Sequence, residues 1–148
     1  MSYIQSYYHI VIRTKYSTKS IHQDQSNRLY AYIRAIVQSK KCELHCINGV
    51  DDHIHLLINL HQDIQLSYLV RDIKSESNKF IKNTLLNRQF TSWSEGYCAI
   101  SCSLSDRDIV KKYILNQQEH HQKVPFKIEL EELIRSMGLA FDQRDWER

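Results

Sequence analysis

The segment Cys42–Leu60, CELHCINGVDDHIHLLINL, decides the fold of this chain. Its two halves, Cys42 to Asn48 and His53 to Leu60, are short runs of strand-forming residues. Between them, Gly49-Val50-Asp51-Asp52 has the composition of a turn. The segment therefore predicts a β-hairpin in the middle of the chain.

Strand-like and helical patterns alternate on both sides of this hairpin. Runs of β-branched and aromatic residues indicate strands, whereas apolar residues recurring every three to four positions indicate helices. The predicted flanking elements are a strand over Tyr3–Arg13, a helix from Asp24 to Lys40, a long helix capped by Asp63, a strand over Tyr97–Ser103, a helix opened by a Ser105/Asp108 capping box and extending through Gln117, and a last helix over Lys127–Met137 stopped by Gly138.

The order β-α-β-β-α-β followed by helices predicts an α+β fold. It is the ferredoxin-like split βαβ pattern, an antiparallel sheet with helices packed on it and additional C-terminal helices. Binding modules and enzymes both use this fold, so its function has to be inferred from a site.

Length and composition exclude several classes of protein. The chain has 148 residues, enough for one domain, and a formal net charge of +3 that permits a nucleic-acid partner without requiring one. With three glycines and one proline, it has no Gly-rich phosphate loop of the P-loop or dinucleotide-binding type. We find neither a signal peptide nor a membrane-spanning run, and expect a cytoplasmic protein without a membrane partner.

The four cysteines form two C-x-x-x-C pairs, Cys42/Cys46 and Cys98/Cys102. Structural zinc favours tighter spacing, and cytosolic proteins rarely keep disulfides. Both pairs fall in strand-like segments, where residues i and i+4 share a face. We therefore expect buried free thiols.

Two histidines at the start of the second hairpin strand, His53 and His55, form the first candidate site. In an extended strand residues i and i+2 point to the same side, so both imidazoles share one face and Ile54 takes the other. We expect solvent and ligand to reach this strand end, because the turn residues Asp51 and Asp52 precede it. Such a pair can bind one divalent ion, although a structural H-x-H is an alternative in a chain with eight histidines.

A tyrosine and a glutamine, Tyr113 and Gln117, form the second candidate group. Their spacing places a phenol and an amide on one helical face, about one turn apart. The apolar neighbours Ile109 and Ile114 are also typical of a half-buried core tyrosine whose hydroxyl reaches water. What the tyrosine faces therefore decides its role.

The two groups together resemble a known family. His53-Ile54-His55, with Tyr113 and Gln117 further along, is similar to the single-tyrosine transposases of the HUH superfamily, carried by small insertion sequences of the IS two-hundred type. Ser94 stands where the family commonly has Gln, and Asp145-Trp146 replaces a longer hydrophobic end. Other similar segments, which extend the resemblance over nearly the whole chain, are Tyr8–Tyr16, Trp93–Tyr97, Phe126–Leu133 and Phe141–Arg144.

The resemblance implies one HUH transposase domain over residues 1–148 and a reaction on single-stranded DNA. In the family a tyrosine becomes linked to a 5′-phosphate and a 3′-hydroxyl is released, without a nucleotide cofactor. By this resemblance Tyr113 is the nucleophile, and His53, His55 and Gln117 hold Mg²⁺ or Mn²⁺. The chemistry needs such an ion, because a phenol with a pKa of about 10 is a poor nucleophile at neutral pH and the phosphodiester is anionic.

The resemblance also implies two kinds of partner. One is single-stranded DNA with hairpins at the element ends. The other is a second copy of the chain, in a homodimer with composite active sites in which the tyrosine helix of one subunit meets the histidine pair of the other. One sequence cannot show whether Tyr113 acts within its own subunit.

Basic side chains and two further histidines are candidate contacts to the DNA backbone. For each of them alone, a solvated charged surface explains the residue equally well. His120 and His121 could be extra metal ligands, but we expect helix-end or DNA-backbone roles because the implied ligand set is already filled. The candidate contacts are Arg13, Lys15, Arg71, Lys74, Lys79, Lys111, Lys112, His120 and His121.

The alternative from another class is a nucleic-acid-binding module that does not cut. It would be either a domesticated or inactive relative of the transposases or a ferredoxin-like RNA-binding domain. With three glycines the chain has no K/R-G-F/Y-G-F-like run, and the complete set of His53, His55, Tyr113 and Gln117 argues against decay. A metal sensor or carrier is a third alternative.

Overall fold

Four antiparallel strands form one sheet with helices on both faces. The computed structural model describes all 148 residues. The strands are β1 (Tyr7–Arg13), β2 (Glu43–Gly49), β3 (His53–Asn59) and β4 (Cys98–Cys102), in the spatial order β2-β3-β1-β4. The helices are α1 (Ser26–Ser39), α2 (Leu66–Asn83), α3 (Arg107–Leu115), α4 (Gln117–His121), α5 (Phe126–Ser136) and α6 (Gln143–Trp146).

This topology confirms the predicted fold. The chain runs β1-α1-β2-β3-α2-β4, and β1 and β3 lie side by side in the centre of the sheet, as in a split βαβ arrangement. All neighbouring strands are antiparallel. Helices α3, α4 and α5, beyond β4, are the additional C-terminal elements that the sequence predicts.

The large core lies between one face of the sheet and helices α1 and α2. Ile12 and Ile54 pair across β1 and β3 and are fully buried there, against Leu29 of α1 and Ile73 of α2. The opposite face is covered by the C-terminal helices in two smaller apolar clusters, one around Ile114 of α3. The sheet is therefore covered on both faces, and the second face contains the candidate site.

Several predicted boundaries differ from the structure. Strand β1 begins at Tyr7 rather than Tyr3, where pairing with β3 and β4 begins. Helix α2 begins at Leu66, so Asp63 is not its cap. The predicted Ser105/Asp108 capping box is wrong, because the Ser103 side chain accepts the backbone N–H of Asp106 and a short 3₁₀ turn precedes α3.

The predicted helix through Gln117 is divided into α3 and α4. Its break is at Asn116, whose backbone leaves the helical conformation. The last helix agrees closely with its prediction, and Gly138 follows it with a φ of +75°, a conformation that glycine adopts without strain. Helix α6 was not predicted.

All four cysteines are free thiols, as predicted, but only Cys42, Cys46 and Cys98 are buried, and Cys102 is partly exposed. Cys98 and Cys102 lie in apolar clusters on the same face of the sheet. The prediction of one shared face is wrong for Cys42 and Cys46, because the register of β2 against β3 slips between Leu44 and Cys46. This bulge sends Cys46 to the second face.

None of the helices is both long and apolar enough to cross a lipid bilayer.

Candidate metal and tyrosine site

The two histidines of β3 lie on the second face of the sheet. Ile54 between them belongs to the large core, so the predicted alternation is confirmed. Both imidazoles are 0% exposed. The expectation of solvent access at this strand end is therefore wrong, because the chain returns over it in helices α4 and α5.

Both imidazole rings are held from behind by hydrogen bonds at Nδ1. The Nδ1–H of His53 donates to Asp52 Oδ1, at 2.7 Å. His55 Nδ1 shares a hydrogen bond with His9 Nε2, 2.8 Å away on the neighbouring strand β1. These bonds direct the Nε2 atoms of both rings toward one space under α3 and α5.

Glu129 fills the centre of that space. This carboxylate comes from α5 and is only 2% exposed. Its Oε1 lies 3.1 Å from His55 Nε2 and 3.3 Å from His53 Nε2. The same oxygen lies 3.0 Å from Nε2 of His121, at the end of α4. One carboxylate oxygen therefore meets three imidazole nitrogens.

Tyr113 reaches the other oxygen of this carboxylate. Its hydroxyl donates to Glu129 Oε2, and its ring packs edge-on against His55 with 5.8 Å between centroids. The side chain is about half buried, with apolar neighbours such as Ile114 behind it. The structure thus brings the predicted tyrosine and the histidine pair together within a single chain.

Gln117 lies between the histidines and the carboxylate. Its Oε1 is 3.2 Å from His53 Nε2, and its amide N–H₂ donates to Glu129 Oε2 at 3.0 Å. The side chain is 0% exposed. Since Asn116 interrupts the helix immediately before it, Gln117 belongs to α4 while Tyr113 belongs to α3.

An aromatic ring closes the site on the side of α5. Phe126 stacks on His53 with ring centroids 3.7 Å apart and planes only 9° apart. Trp146 of α6 packs on the other side of Phe126, at 5.7 Å. The C-terminal helices therefore exclude water from the histidine pair.

Burial keeps His9 and His55 neutral. It lowers the pKa of His9 to about 3, helped by the nearby His55. It also lowers the pKa of His55 to about 4, against the opposing effect of the hydrogen bond that His55 donates to Glu129. For His53 burial also lowers the pKa, but the hydrogen bonds with Asp52 and Glu129 outweigh it and the net shift is upward. Neutral His55 can therefore offer a lone pair from Nε2 to a cation, whereas Nε2 of neutral His9 is bonded to His55 Nδ1.

The pKa values of Tyr113 and Glu129 are shifted in opposite directions. Burial, followed by the hydrogen bond to Glu129, raises the pKa of Tyr113 well above its usual value. Burial alone would raise the pKa of Glu129, but hydrogen bonds from His121, His53 and His55 hold it far below its usual value. Without a further positive charge, Tyr113 therefore keeps its proton and Glu129 stays ionised.

Access from solvent is open on the tyrosine side. A surface groove of about 510 Å³ is lined by Tyr113 and Asn116 together with Lys112, Leu115 and His120. His120 Nε2 lies 3.2 Å from Glu129 Oε2 but forms no hydrogen bond. Among the lining residues, Lys112 is exposed and Tyr113 is about half buried.

The predicted DNA contacts are dispersed over the molecule. Lys111 and Lys112 lie on α3 beside Tyr113, with His120 and His121 next to them on α4. Lys15, Arg71 and Lys79 are exposed elsewhere, Arg71 against Asp72 and Lys79 against Glu76. Lys74 and Arg13 are occupied within the chain, Lys74 by the carbonyls of Ser94 and Gly96, Arg13 by those of Asp145 and Trp146.

Sequence reasoning missed Glu129, His9 and Asp52. Glu129 has a readable signal, because it falls on the apolar stripe of α5 with Phe126 and Leu130, where a carboxylate is unusual. His9 is a polar residue in the middle of the mostly apolar strand β1, and Asp52 directly precedes His53. None of these signals indicates which partner the side chain meets.

The chain is similar to known proteins in both sequence and fold. The family model described as "Transposase IS200 like" matches residues 2–117, which include His53, His55, Tyr113 and Gln117. His121 and Glu129 lie beyond the matched segment. A comparison with curated protein sequences gives no significant match.

Two solved structures share the fold. One is a protein of Deinococcus radiodurans R1 provisionally assigned as a transposase, with 21% identity, a TM-score of 0.62, and coverage of 78% of this chain and 93% of that one. The other is a REP-associated tyrosine transposase bound to a REP hairpin, with 15% identity, a TM-score of 0.62, and coverage of 84% and 73%. Because the family model spans most of the sequence, the chain belongs to the IS200-like transposases.

Proposed function

We propose that this transposase nicks and rejoins single-stranded DNA at insertion-sequence ends through a 5′-phosphotyrosine intermediate at Tyr113, with a divalent ion. One observation supports this most directly: the Tyr113 hydroxyl and the Nε2 atoms of His53 and His55 meet on one buried carboxylate, Glu129. A nucleophile and a potential metal site thus share one small space, as phosphoryl transfer requires.

The donor set fits a divalent cation. His53 Nε2, His55 Nε2 and Gln117 Oε1 would hold it, and Asp52 and His9 already fix the two rings through Nδ1. A hydrogen bond to the nitrogen that faces away from the ion is typical of metal-ligating histidines. When bound, Mg²⁺ or Mn²⁺ would polarise the phosphate and offset charge on the leaving 3′-oxygen.

The protein's own groups perform the transfer. The Tyr113 oxygen attacks phosphorus, so that a tyrosine–phosphorus bond forms and the bond to the 3′-oxygen breaks. Glu129 Oε2, which accepts the phenolic hydrogen bond, is the nearest group that can take the proton. The 3′-oxygen leaves and takes a proton from water, which gives a free 3′-hydroxyl. In the reverse direction a 3′-hydroxyl gives its proton to water and attacks phosphorus, the bond between phosphorus and the tyrosine oxygen breaks, and Glu129 returns its proton to that oxygen. No nucleotide is consumed.

We propose single-stranded DNA with hairpin ends as the substrate. A structural neighbour is bound to a REP hairpin, and in this chain the groove beside Tyr113 is open to solvent with Lys112 at its edge. A homodimer stays a prediction from the family resemblance. Within one chain, however, Tyr113 already meets its own histidine pair, and we propose that the tyrosine acts there.

A cleavage assay tests this function. A stem-loop oligonucleotide with single-stranded flanks is incubated with the protein with and without Mn²⁺ or Mg²⁺, and products are separated on a denaturing gel. We expect metal-dependent cleavage that His53→Ala/His55→Ala abolishes. Tyr113→Phe should also abolish cleavage. Its matched control is Tyr68→Phe, which changes an exposed tyrosine on α2 and should cleave normally. Stable binding of the hairpin without cleavage would instead favour a binding module.

A further inference from the structure

We infer that Glu129 and His121 are additional metal ligands, forming with His53 and His55 a three-histidine, one-carboxylate site for a first-row transition ion. The inference rests on the proposed function only in taking the histidine pair as a metal site. The ligand atoms of these four residues all lie within 4.8 Å of one another.

The distances match the edges of a coordination polyhedron. Glu129 Oε1 lies 3.0 Å from His121 Nε2, 3.1 Å from His55 Nε2 and 3.3 Å from His53 Nε2. Ligands that each lie about 2.1 Å from an ion, at right angles to one another, are separated by about 3.0 Å. Small adjustments would therefore admit an ion among these atoms.

Each of the three imidazoles is oriented in the same way. His53 Nδ1 is bonded to Asp52, His55 Nδ1 to His9, and His121 Nδ1 to the carbonyl of Val124 at 2.8 Å. All three therefore present Nε2 to the centre. A fixed Nδ1 partner behind a free Nε2 is the usual arrangement of histidines that bind metals.

The carboxylate is held in the same manner. Glu129 Oε2 accepts hydrogen bonds from Gln117 and Tyr113, which leaves Oε1 directed at the three imidazoles. The side chain is 2% exposed, and no Lys or Arg forms an ion pair with it. A buried carboxylate needs a compensating positive charge, which a bound cation would supply.

This ligand set predicts metal preference. Mg²⁺ favours oxygen ligands and keeps its waters, whereas three imidazoles and one carboxylate suit Mn²⁺ or another first-row transition ion. Four protein ligands leave two positions of an octahedral ion, one for Gln117 Oε1 and one for a phosphate oxygen. Two of these ligands, His121 and Glu129, lie beyond the segment matched by the family model.

Metal binding without DNA tests the inference. Mn²⁺ affinity is measured by titration calorimetry on the full chain, and bound imidazoles are counted from nitrogen couplings in pulsed electron paramagnetic resonance. We expect three imidazoles in the wild type and two in His121→Ala. Glu129→Gln should weaken Mn²⁺ binding by about 100-fold, since even indirect partners of a metal site contribute about 10- to 100-fold. A large excess of Mg²⁺ should displace Mn²⁺ poorly.

Two control variants define what overturns the inference. Glu132→Gln removes an exposed carboxylate from the same helix, and His45→Ala removes a histidine of β2 outside the cluster, so both should bind Mn²⁺ normally. Unchanged or tighter Mn²⁺ binding by Glu129→Gln, with native circular dichroism, would overturn the inference. So would two imidazoles in the wild type.

The outcome is separable from that of the proposed function. Mn²⁺ bound by all four residues without a DNA adduct would reject the proposed function and retain this site. An adduct whose Mn²⁺ requirement is unchanged in His121→Ala would do the reverse. No Mn²⁺ binding by the wild type would overturn the inference alone, since the proposed function also accepts Mg²⁺.

Discussion

At the scale of single residues, the Nδ1 bonds of His53 and His55 explain why both rings face one point. Asp52 fixes one ring from the turn, and His9 fixes the other from the neighbouring strand. Because His9 and His55 are both neutral and buried, one proton lies in the hydrogen bond between His9 Nε2 and His55 Nδ1. In the metal-free protein His55 donates from Nε2 to Glu129, so its Nδ1 accepts from the Nε2–H of His9.

We expect acid to destabilise the metal-free protein through His9. The pKa of His9 is about 3 in the folded protein and near 6.5 in the unfolded chain. Below pH 6.5, His9 is therefore protonated in the unfolded chain but stays neutral in the folded protein. Between about pH 7 and pH 5 this lowers the free energy of unfolding by about 2 kcal/mol. The His9→Gln variant has no titrating group at this position, so its free energy of unfolding should fall by about 2 kcal/mol less than that of the wild type. Urea denaturation at both pH values measures this difference. Equal losses would contradict the role given to His9.

The sequence predicted the histidine pair but not Glu129, for a physical reason. Strand alternation is local, so His53-Ile54-His55 suffices to place two imidazoles on one face. The position of Glu129 depends on how α5 docks on the sheet through Phe126 and Leu130, which is a tertiary packing outcome. A buried carboxylate on an apolar stripe is a signal, but its partners lie elsewhere in the chain.

At the scale of elements, Asn48 secures the junction between α3 and α4. Its Nδ2 donates to the carbonyls of Ile114 and Leu115, at 3.0 and 3.1 Å, and its Oδ1 accepts from Gln118 Nε2 at 2.6 Å. These bonds attach the end of the tyrosine helix to β2. The position of Tyr113 relative to the sheet is therefore fixed at a helix end whose carbonyls would otherwise lack partners.

Asn48→Ala should therefore affect both stability and reaction rate. Losing these partly buried hydrogen bonds should cost about 2 kcal/mol in the free energy of unfolding. Misplacement of Tyr113 should slow adduct formation by about tenfold or more, because small displacements of a nucleophile are costly. Chemical denaturation and single-turnover cleavage measure the two effects.

Asn116→Ala is the matched control for that variant. Asn116 is exposed at the same junction and its side chain forms no hydrogen bond there, so the change should stay within about 0.5 kcal/mol. An Asn48→Ala protein with native stability and native rate would contradict the proposed anchoring.

The elements were largely predictable, whereas their ends were not. Hydrophobic periodicity identified the strands and the longer helices because it reflects which face each element buries. The bulge that separates Leu44 from Cys46 and the break at Asn116 have no such periodic signal. Both depend on contacts with other elements, and α6 is too short for periodicity to detect.

At the scale of the whole molecule, one chain contains every group of the candidate site. Tyr113 and the histidine pair share Glu129 within the same fold. The family resemblance implies exchange of the tyrosine helix between subunits, but Asn48 attaches that helix to its own sheet. We therefore expect Tyr113 to act within its own chain.

Mixing two inactive variants tests this expectation. The His53→Ala/His55→Ala protein keeps Tyr113, and the Tyr113→Phe protein keeps the histidines, so neither has a complete site within one chain. We expect no adduct from the co-refolded mixture at any ratio. An adduct on the chain that lacks the histidines, identified by its mass, would show action between subunits.

The central claim is that Tyr113 becomes covalently linked to DNA. The most direct measurement is the intact mass of the wild-type protein after reaction with a stem-loop oligonucleotide and Mn²⁺. We predict an increase equal to the mass of the 5′-phosphorylated DNA fragment less one water, absent without metal and absent from Tyr113→Phe. A mass increase that persists in Tyr113→Phe, or cleavage of the DNA with no increase in the wild type, would contradict the account.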